Sequence, residues 1–245
     1  MLRFLALLYG IACYLAFVAA GLYLVAFLGN VPGLPRTLDR GPDTAPAVAI
    51  SINLGLLTLF GLQHSGMARQ GFKRRWTRLV PEVVERSTYV LASSLALALL
   101  CGQWRPLPTE LWSAHAVTVV LSLLAAGLGA LLLLVASWQL DHFDLTGVRQ
   151  VWCFARGRAY LPPALRQPWL YRRVRHPLML GALLLLWAVP ALTVGRLVFN
   201  LGFTAYILLG IQLEERDLLR DFGPAYAAYR RQVPMLWPTF RKEAT

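Results

Sequence analysis

The sequence predicts an all-α fold: a polytopic transmembrane helical bundle of about six spans, with both termini cytosolic and a C-terminal interfacial helix. Three observations predict it. Hydrophobic residues make up 57% of the 245 residues and charged residues only 15%, against roughly 45–50% and roughly 25% in soluble domains. Six apolar runs approach the ~20 residues that cross a bilayer. The basic residues fall on alternate sides of those runs, as membrane topology requires.

The runs cover residues 4–28, 47–62, 88–101, 115–138, 177–193 and 197–211. One positive charge, Arg3, precedes the first, and no small-residue cleavage site follows, so it reads as a membrane helix rather than a signal peptide. Asn30-Val31-Pro32-Gly33 and Arg105-Pro106-Leu107-Pro108 punctuate the chain between runs. The third and sixth runs are short and extend into polar flanks. Trp104, Trp112 and Trp138 suit interfacial belts.

Arg3 precedes the first run. Arg69, Lys73, Arg74, Arg75, Arg78 and Arg86 lie between the second and third. Arg149, Arg156, Arg158, Arg166, Arg172, Arg173 and Arg175 lie between the fourth and fifth, and Arg216, Arg220, Arg230, Arg231, Arg241 and Lys242 follow the sixth. Only four of the 24 basic residues, Arg36, Arg40, Arg105 and Arg196, fall in the intervening loops. Six spans with both ends in the cytosol satisfy the positive-inside rule at every loop. The formal charge of +12 is thus explained by topology, and nucleic acid is not an expected partner; membrane lipids are. Cys13, Cys101 and Cys153 form no CxxC pair, so neither a disulfide framework nor a structural zinc site is expected.

Only Val194-Gly195-Arg196 joins the last two runs, which predicts a tight antiparallel helical hairpin. Its cytosolic ends then meet: Arg172-Arg173-Val174-Arg175-His176-Pro177 from one arm, Glu214-Glu215-Arg216-Asp217 from the other. Pro177 suits a first helical turn, whose unpaired amides can bind an anion. The mouth suits a ligand with a carboxylate, placed by Arg175, and a cationic centre, placed by Glu214 or Glu215. Headgroup anchoring and a solvated helix start explain the same residues. Beyond the sixth run, Gly223-Pro224 breaks one helix and starts another, and Leu218, Leu219, Phe222, Tyr226 and Tyr229 recur at helical spacing, as in an interfacial segment or a lid.

Arg175-His176-Pro177-Leu178-Met179-Leu180-Gly181, with Glu214-Glu215, Leu218, Phe222-Gly223, Tyr226, Tyr229 and Val233-Pro234, resembles the C-terminal signature of the isoprenylcysteine carboxyl methyltransferase superfamily, NnrU-like proteins included. The resemblance implies an integral membrane enzyme using S-adenosylmethionine. It implies cofactor-binding roles for Arg175, His176, Pro177, Gly181, Glu214, Glu215, Tyr226 and Tyr229. The family's tyrosine is replaced here by Met179. The chain then reads as one membrane domain, 1–245, containing a cofactor-binding hairpin and tail at 172–234.

Gln63-His64-Ser65, Met67-Ala68-Arg69, Glu85-Arg86-Ser87-Thr88-Tyr89, Trp104-Arg105-Pro106-Leu107-Pro108 and Asp141-His142-Phe143-Asp144-Leu145 resemble the bacterial methanethiol S-methyltransferases. That resemblance, over residues 50–240, implies methyl transfer to a small thiol and requires no metal. The acceptor must be deprotonated: even cysteine has a pKa of about 8.5, and a simple alkyl thiol is a weaker acid. His142, with Asp141 as orienting carboxylate, and His64 are the candidate bases; each also reads as a hydrogen-bonded interfacial histidine. A methyltransferase for a lipid-like carboxyl or amine and a non-enzymatic NnrU-like protein stay open as alternatives.

Overall fold

The computed structural model describes residues 1–163 and 166–238; Arg241 and Lys242 lie outside the described residues. The helices are α1 (Leu2–Leu28), α2 (Pro46–Ala68), α3 (Gln70–Trp76), α4 (Glu82–Gln103), α5 (Ala116–Gln139), α6 (His142–Leu145), α7 (Val148–Ala155), α8 (Pro177–Trp187) and α9 (Val194–Gln232). A 3₁₀ turn covers Trp169–Arg172, and two short strands, β1 (Glu110–Ser113) and β2 (Ala191–Thr193), pair with each other. Five helices, α1, α2, α4, α5 and α9, are long and apolar enough to cross a membrane. The protein is a multi-pass helical membrane protein.

Local chemistry explains the ends. Pro46 occupies the first turn of α2, where its missing N–H costs nothing. Glu82 and Glu85 sit in the first turn of α4, against the positive end of its dipole. The polar residues before the third apolar run are therefore helical, and they extend it to membrane-spanning length. Residues 139–176, read from sequence as one basic loop, contain α6, α7 and the 3₁₀ turn.

The chain forms two compact units. The first comprises Met1–Trp112, Phe143–Leu161 and Ala191–Phe203. Here α4 packs against α1 and α2, and α7 lies on α1. A Cβ on Gly10 would stand 2.5 Å from Val151 Cγ2, so the glycine sets the approach of α7. Gly147, at φ +87°, brings the preceding loop onto α4, where Arg86 Nε donates to the Leu145 carbonyl at 2.8 Å. Away from the basic loops, Asp39 accepts from Asn30 and Thr193, each at 2.6 Å, and Asn53 exchanges two bonds with the Arg105 backbone. Trp112 is exposed, as an interfacial residue should be, but Trp104 is 1% exposed. Phe27 and Phe199 enclose it edge-on, so it is core rather than belt.

The second unit comprises Ser113–His142, Pro162–Pro190 and the chain from Thr204 onward. Its centre is the antiparallel pair α5 and α8. The two backbones touch at Gly129 and Gly181: a Cβ on Gly181 would lie 2.7 Å from the Gly129 carbonyl oxygen, and one on Gly129 would lie 2.8 Å from that of Gly181. Small residues at a helix crossing are the usual means of close packing in lipid, where burial of apolar surface drives nothing.

The fifth apolar run departs from expectation. It is helical only to Trp187, because Pro190 removes a donor and biases Val189 away from helical geometry. Eleven residues give roughly 16 Å of helix, whereas the 24 of α5 give roughly 36 Å. The run nevertheless follows α5 end to end. Tyr171 bonds to Ala136 at one end, and at the other Ser122 donates to the Val189 carbonyl while Ala114 N–H donates to that of Pro190. A turn, a short helix and an extended segment together run along α5. Gly181→Ala should lower the thermal midpoint of the detergent-solubilised protein, equivalent to roughly 1–3 kcal/mol of overpacking. Gly210→Ala, where nothing lies within 4 Å of the added carbon, should not.

Candidate functional site

The ends of α8 and α9 within the second unit are held together by one carboxylate. Glu215 Oε1 accepts from Arg175 Nε at 2.7 Å and lies 3.1 Å from His176 Nε2, while Oε2 lies 3.2 Å from Arg230 Nε. Its side chain is 4% exposed. An uncompensated charge at such a position costs several kcal/mol, so the cations are a condition of its burial. The adjacent Glu214 is different: its side chain is 47% exposed, with Oε2 3.8 Å from His176 Nδ1. The two glutamates that sequence alone could not tell apart are a buried clamp and a carboxylate at the mouth.

Arg230 reaches Glu215 only because the helix turns. Fifteen residues of straight helix would separate them by about 22 Å. Gly223, at φ +51° and ψ −125°, breaks α9, and Pro224 begins its last segment. Nothing lies within 4 Å of a Cβ built on Gly223, so the backbone conformation is what selects glycine. The break predicted at Gly223-Pro224 is present.

The tail is then sewn to the start of α8. Arg175 N–H donates to the Pro234 carbonyl at 2.9 Å and His176 N–H to that of Met235 at 3.1 Å. Arg175 Nη1 donates to the carbonyls of Val233 and Arg230, at 2.6 and 3.0 Å. Arg175 is thus largely engaged in holding the tail and Glu215, where sequence reasoning gave it a ligand carboxylate. Pro177 occupies the first turn of α8, as expected. At the other end of the hairpin, Trp187 Nε1 donates to Thr204 Oγ1 at 2.9 Å, so both ends of the antiparallel arms are tied.

Tyr226, Tyr229 and Val233 form a buried cluster backed by Leu218, Leu219 and Phe222. Tyr229 donates to the Tyr171 carbonyl at 2.6 Å. Burial raises the pKa of the Tyr171 phenol, with Glu214 and Tyr229 adding to the effect, so it stays a donor. The Tyr226 hydroxyl is buried and has no hydrogen-bond partner among the described residues. A buried polar atom in that state costs about 1–3 kcal/mol, and a bound polar ligand removes the cost. This orphan lies beside a charged mouth at a helix start.

The remaining predicted residues fall elsewhere. Gly181 is the contact point with α5 and lies one helical turn inside the mouth. Asp141 and His142 lie at the end of α5, where Asp141 adopts φ +69° and His142 Nδ1 is 2.7 Å from Ser137 Oγ. His64 belongs to the first unit: its ring stacks on Phe60, its Nδ1 is 3.2 Å from Ser93 Oγ, and Tyr89 packs at 5.2 Å. Sequence reasoning missed Arg230, Tyr171 and Ser137. No local pattern marks them, since each acts only after a turn at Gly223, at Asp141 or in the 3₁₀ segment. Among the described residues, no group of three or more side chains could hold a metal ion.

The chain is similar to known proteins along most of its length. The family model described as NnrU protein matches residues 53–239. The chain is 48% identical to methanethiol S-methyltransferase 2 of Bradyrhizobium diazoefficiens, over 96% of this chain and 91% of that one. It is 46% identical to the methanethiol S-methyltransferase of Mycobacterium tuberculosis, over 97% and 98%. It is 31% identical to nurim of Xenopus laevis, over 94% and 85%. No solved structure matches the chain.

The two glutamates should separate on mutation. Glu215→Gln should destabilise the solubilised protein by about 3–5 kcal/mol, the cost of breaking a buried pair. Glu214→Gln should leave its melting temperature unchanged and weaken binding of S-adenosylmethionine about tenfold, as read by calorimetric titration.

Proposed function

The chain belongs to the NnrU protein family, and we propose that it is an enzyme that transfers a methyl group from S-adenosylmethionine to methanethiol, forming dimethyl sulfide, at the cytosolic face of the inner membrane. The observation that carries this reading is the similarity to methanethiol S-methyltransferases along nearly the whole chain, at 48% and 46% identity. The geometry of the mouth supports it from the side of the cofactor.

When bound, S-adenosylmethionine supplies an electrophilic methyl group on a sulfonium. Displacement at that carbon requires in-line positioning and a strong nucleophile rather than a metal. The chain's own residues divide the remaining work. Glu215, Arg175 and Arg230 fix the mouth's shape and hold the tail across it. His176, Glu214 and the Tyr226 hydroxyl are the polar contacts for the cofactor, and the Leu178 and Met179 amides of the first turn of α8 add donors for an anionic group. Tyr229 keeps the tail seated through Tyr171. His142, with Asp141, and His64 are the candidates to take the proton of the thiol.

The distribution of charge supports the placement. Basic residues fill every second loop, which supports a reading with six passes and with the mouth and both termini on the cytosolic side. Methanethiol and dimethyl sulfide are apolar and volatile, so the membrane is a medium in which both move freely.

Headspace gas measurement after mixing purified protein with methanethiol and S-adenosylmethionine should detect dimethyl sulfide. Cofactor binding without the gas would point to a different acceptor, such as a lipid-like carboxyl or amine; absence of binding would sink the methyltransferase reading altogether. His176→Ala should raise the Kd for S-adenosylmethionine by about tenfold or more, in proportion to the loss of one or two buried polar contacts.

A further inference from the structure

A second side-chain pair, Ser137 and His142, lies at the end of α5. Ser137 Oγ lies 2.7 Å from His142 Nδ1. On a continuous helix, residues five apart point about 140° away from each other, so these two side chains should not meet. They meet because α5 stops between them. Asp141 takes the left-handed conformation at φ +69°, with its N–H on the Trp138 carbonyl at 3.1 Å and that of Leu140 on Ala136 at 3.2 Å. This is the usual geometry of a helix end, and aspartate is one of the few non-glycine residues that adopts it at low cost. The turn swings His142 back along the last turn of α5. There the Trp138 ring stacks over the imidazole, with centroids 6.4 Å apart and planes 19° apart.

The pair is joined to the mouth by an unbroken chain of contacts within the second unit. Tyr229, on the tail segment that carries Tyr226 and Arg230, donates to the Tyr171 carbonyl. Tyr171 Oη donates to the Ala136 carbonyl at 3.5 Å, and Ala136 is the residue before Ser137.

We infer that Ser137 is the positioning residue for His142, holding its Nδ1 so that Nε2 serves as the base for the thiol acceptor. The inference rests on the proposed methyl transfer to a small thiol. In neutral His142 the Nδ1–H donates to Ser137 Oγ, which leaves the lone pair on Nε2. The thiol S–H bond breaks, its proton passes to Nε2, and the electron pair stays on sulfur as the thiolate nucleophile. The imidazolium keeps the same Nδ1–H bond to Ser137, so the ring need not move as it changes charge, and it later releases the Nε2 proton to water. The contribution of Asp141 is first of all its backbone, which places the ring.

The test compares wild type, Ser137→Ala and Ser137→Thr in nanodiscs. Nitrogen-15 NMR of histidine-labelled protein should show His142 as the Nδ1–H tautomer in wild type and Ser137→Thr, and as a mixture in Ser137→Ala. Ser137→Ala should lose about tenfold or more in kcat for dimethyl sulfide formation, within the range that a positioned base contributes, at unchanged Kd for S-adenosylmethionine; Ser137→Thr should recover most of it. Wild-type kcat and an unaltered tautomer in Ser137→Ala overturn this inference alone. So does an equal loss of cofactor affinity and melting temperature, which would make Ser137 merely structural. No dimethyl sulfide from wild type overturns the methyl-transfer reading, and this inference with it.

Discussion

The second unit depends on one buried negative charge. Glu215 is nearly inaccessible to solvent, and it meets three groups from two places in the chain: Arg175 and the capping His176 ahead of α8, and Arg230 on the tail beyond Gly223. Such a carboxylate adds little net stability over an apolar residue, because its desolvation cancels much of the Coulomb gain. Its effect is on specificity. With Glu215 in place, one arrangement of the α8 start, α9 and the tail satisfies all the charges, and departures from it leave a charge stranded. The mouth is therefore shaped before any ligand arrives, which is what affinity and orientation require.

The same economy governs the fifth apolar run. An 11-residue helix cannot span a bilayer alone. Its non-helical flanks have their backbone groups satisfied by protein: Ser122 of α5 serves the Val189 carbonyl, Ala114 that of Pro190, Gln139 of α5 the Leu170 N–H and Tyr229 the Tyr171 carbonyl. Irregular backbone at membrane depth is acceptable only where protein covers it. The glycine pair at 129 and 181 brings α8 close enough for that cover to reach. A cofactor role for Gly181, suggested by resemblance, and a packing role are compatible, since the residue that sets the depth of α8 also sets where its first turn sits.

Much of this was legible in the sequence. Apolar runs, proline and glycine punctuation and the one-sided arginines carry the membrane helices, because each follows from local composition. The meeting of the α8 start with Glu214 and Glu215 was legible from the short connection between the last two runs, but the packing of α8 on α5 was not. What was not legible arises from long-range closure. Trp104 reads as an interfacial tryptophan until Phe27 and Phe199 close around it. Glu214 and Glu215 are indistinguishable neighbours until the helix phase sends one inward. Arg230 reads as another headgroup anchor until Gly223 folds its segment back. The stopping point of α8 was a local signal misjudged: Pro190 was counted inside an apolar run whose helix it ends.

The basic residues themselves carry a last distinction. Among the 24 there are only two lysines, Lys73 and Lys242. Attraction to anionic headgroups is indifferent to that choice, since each cation contributes about 1 kcal/mol near the surface whichever residue bears it. Internal bonding is not indifferent. Arg175 serves a carboxylate through Nε and two carbonyls through Nη1; Arg40 reaches the carbonyls of Asn30 and Val31; Arg69 and Arg86 return to the carbonyls of Ser65 and Leu145; Arg196 reaches that of Leu28. A planar fork with five donors can close helix ends and loops in this way, whereas an ammonium is a single compact charge. The preference for arginine over lysine therefore has a basis beyond charge, on both sides of the charge pattern. The guanidinium geometry satisfies backbone groups that the helix ends and loops leave open.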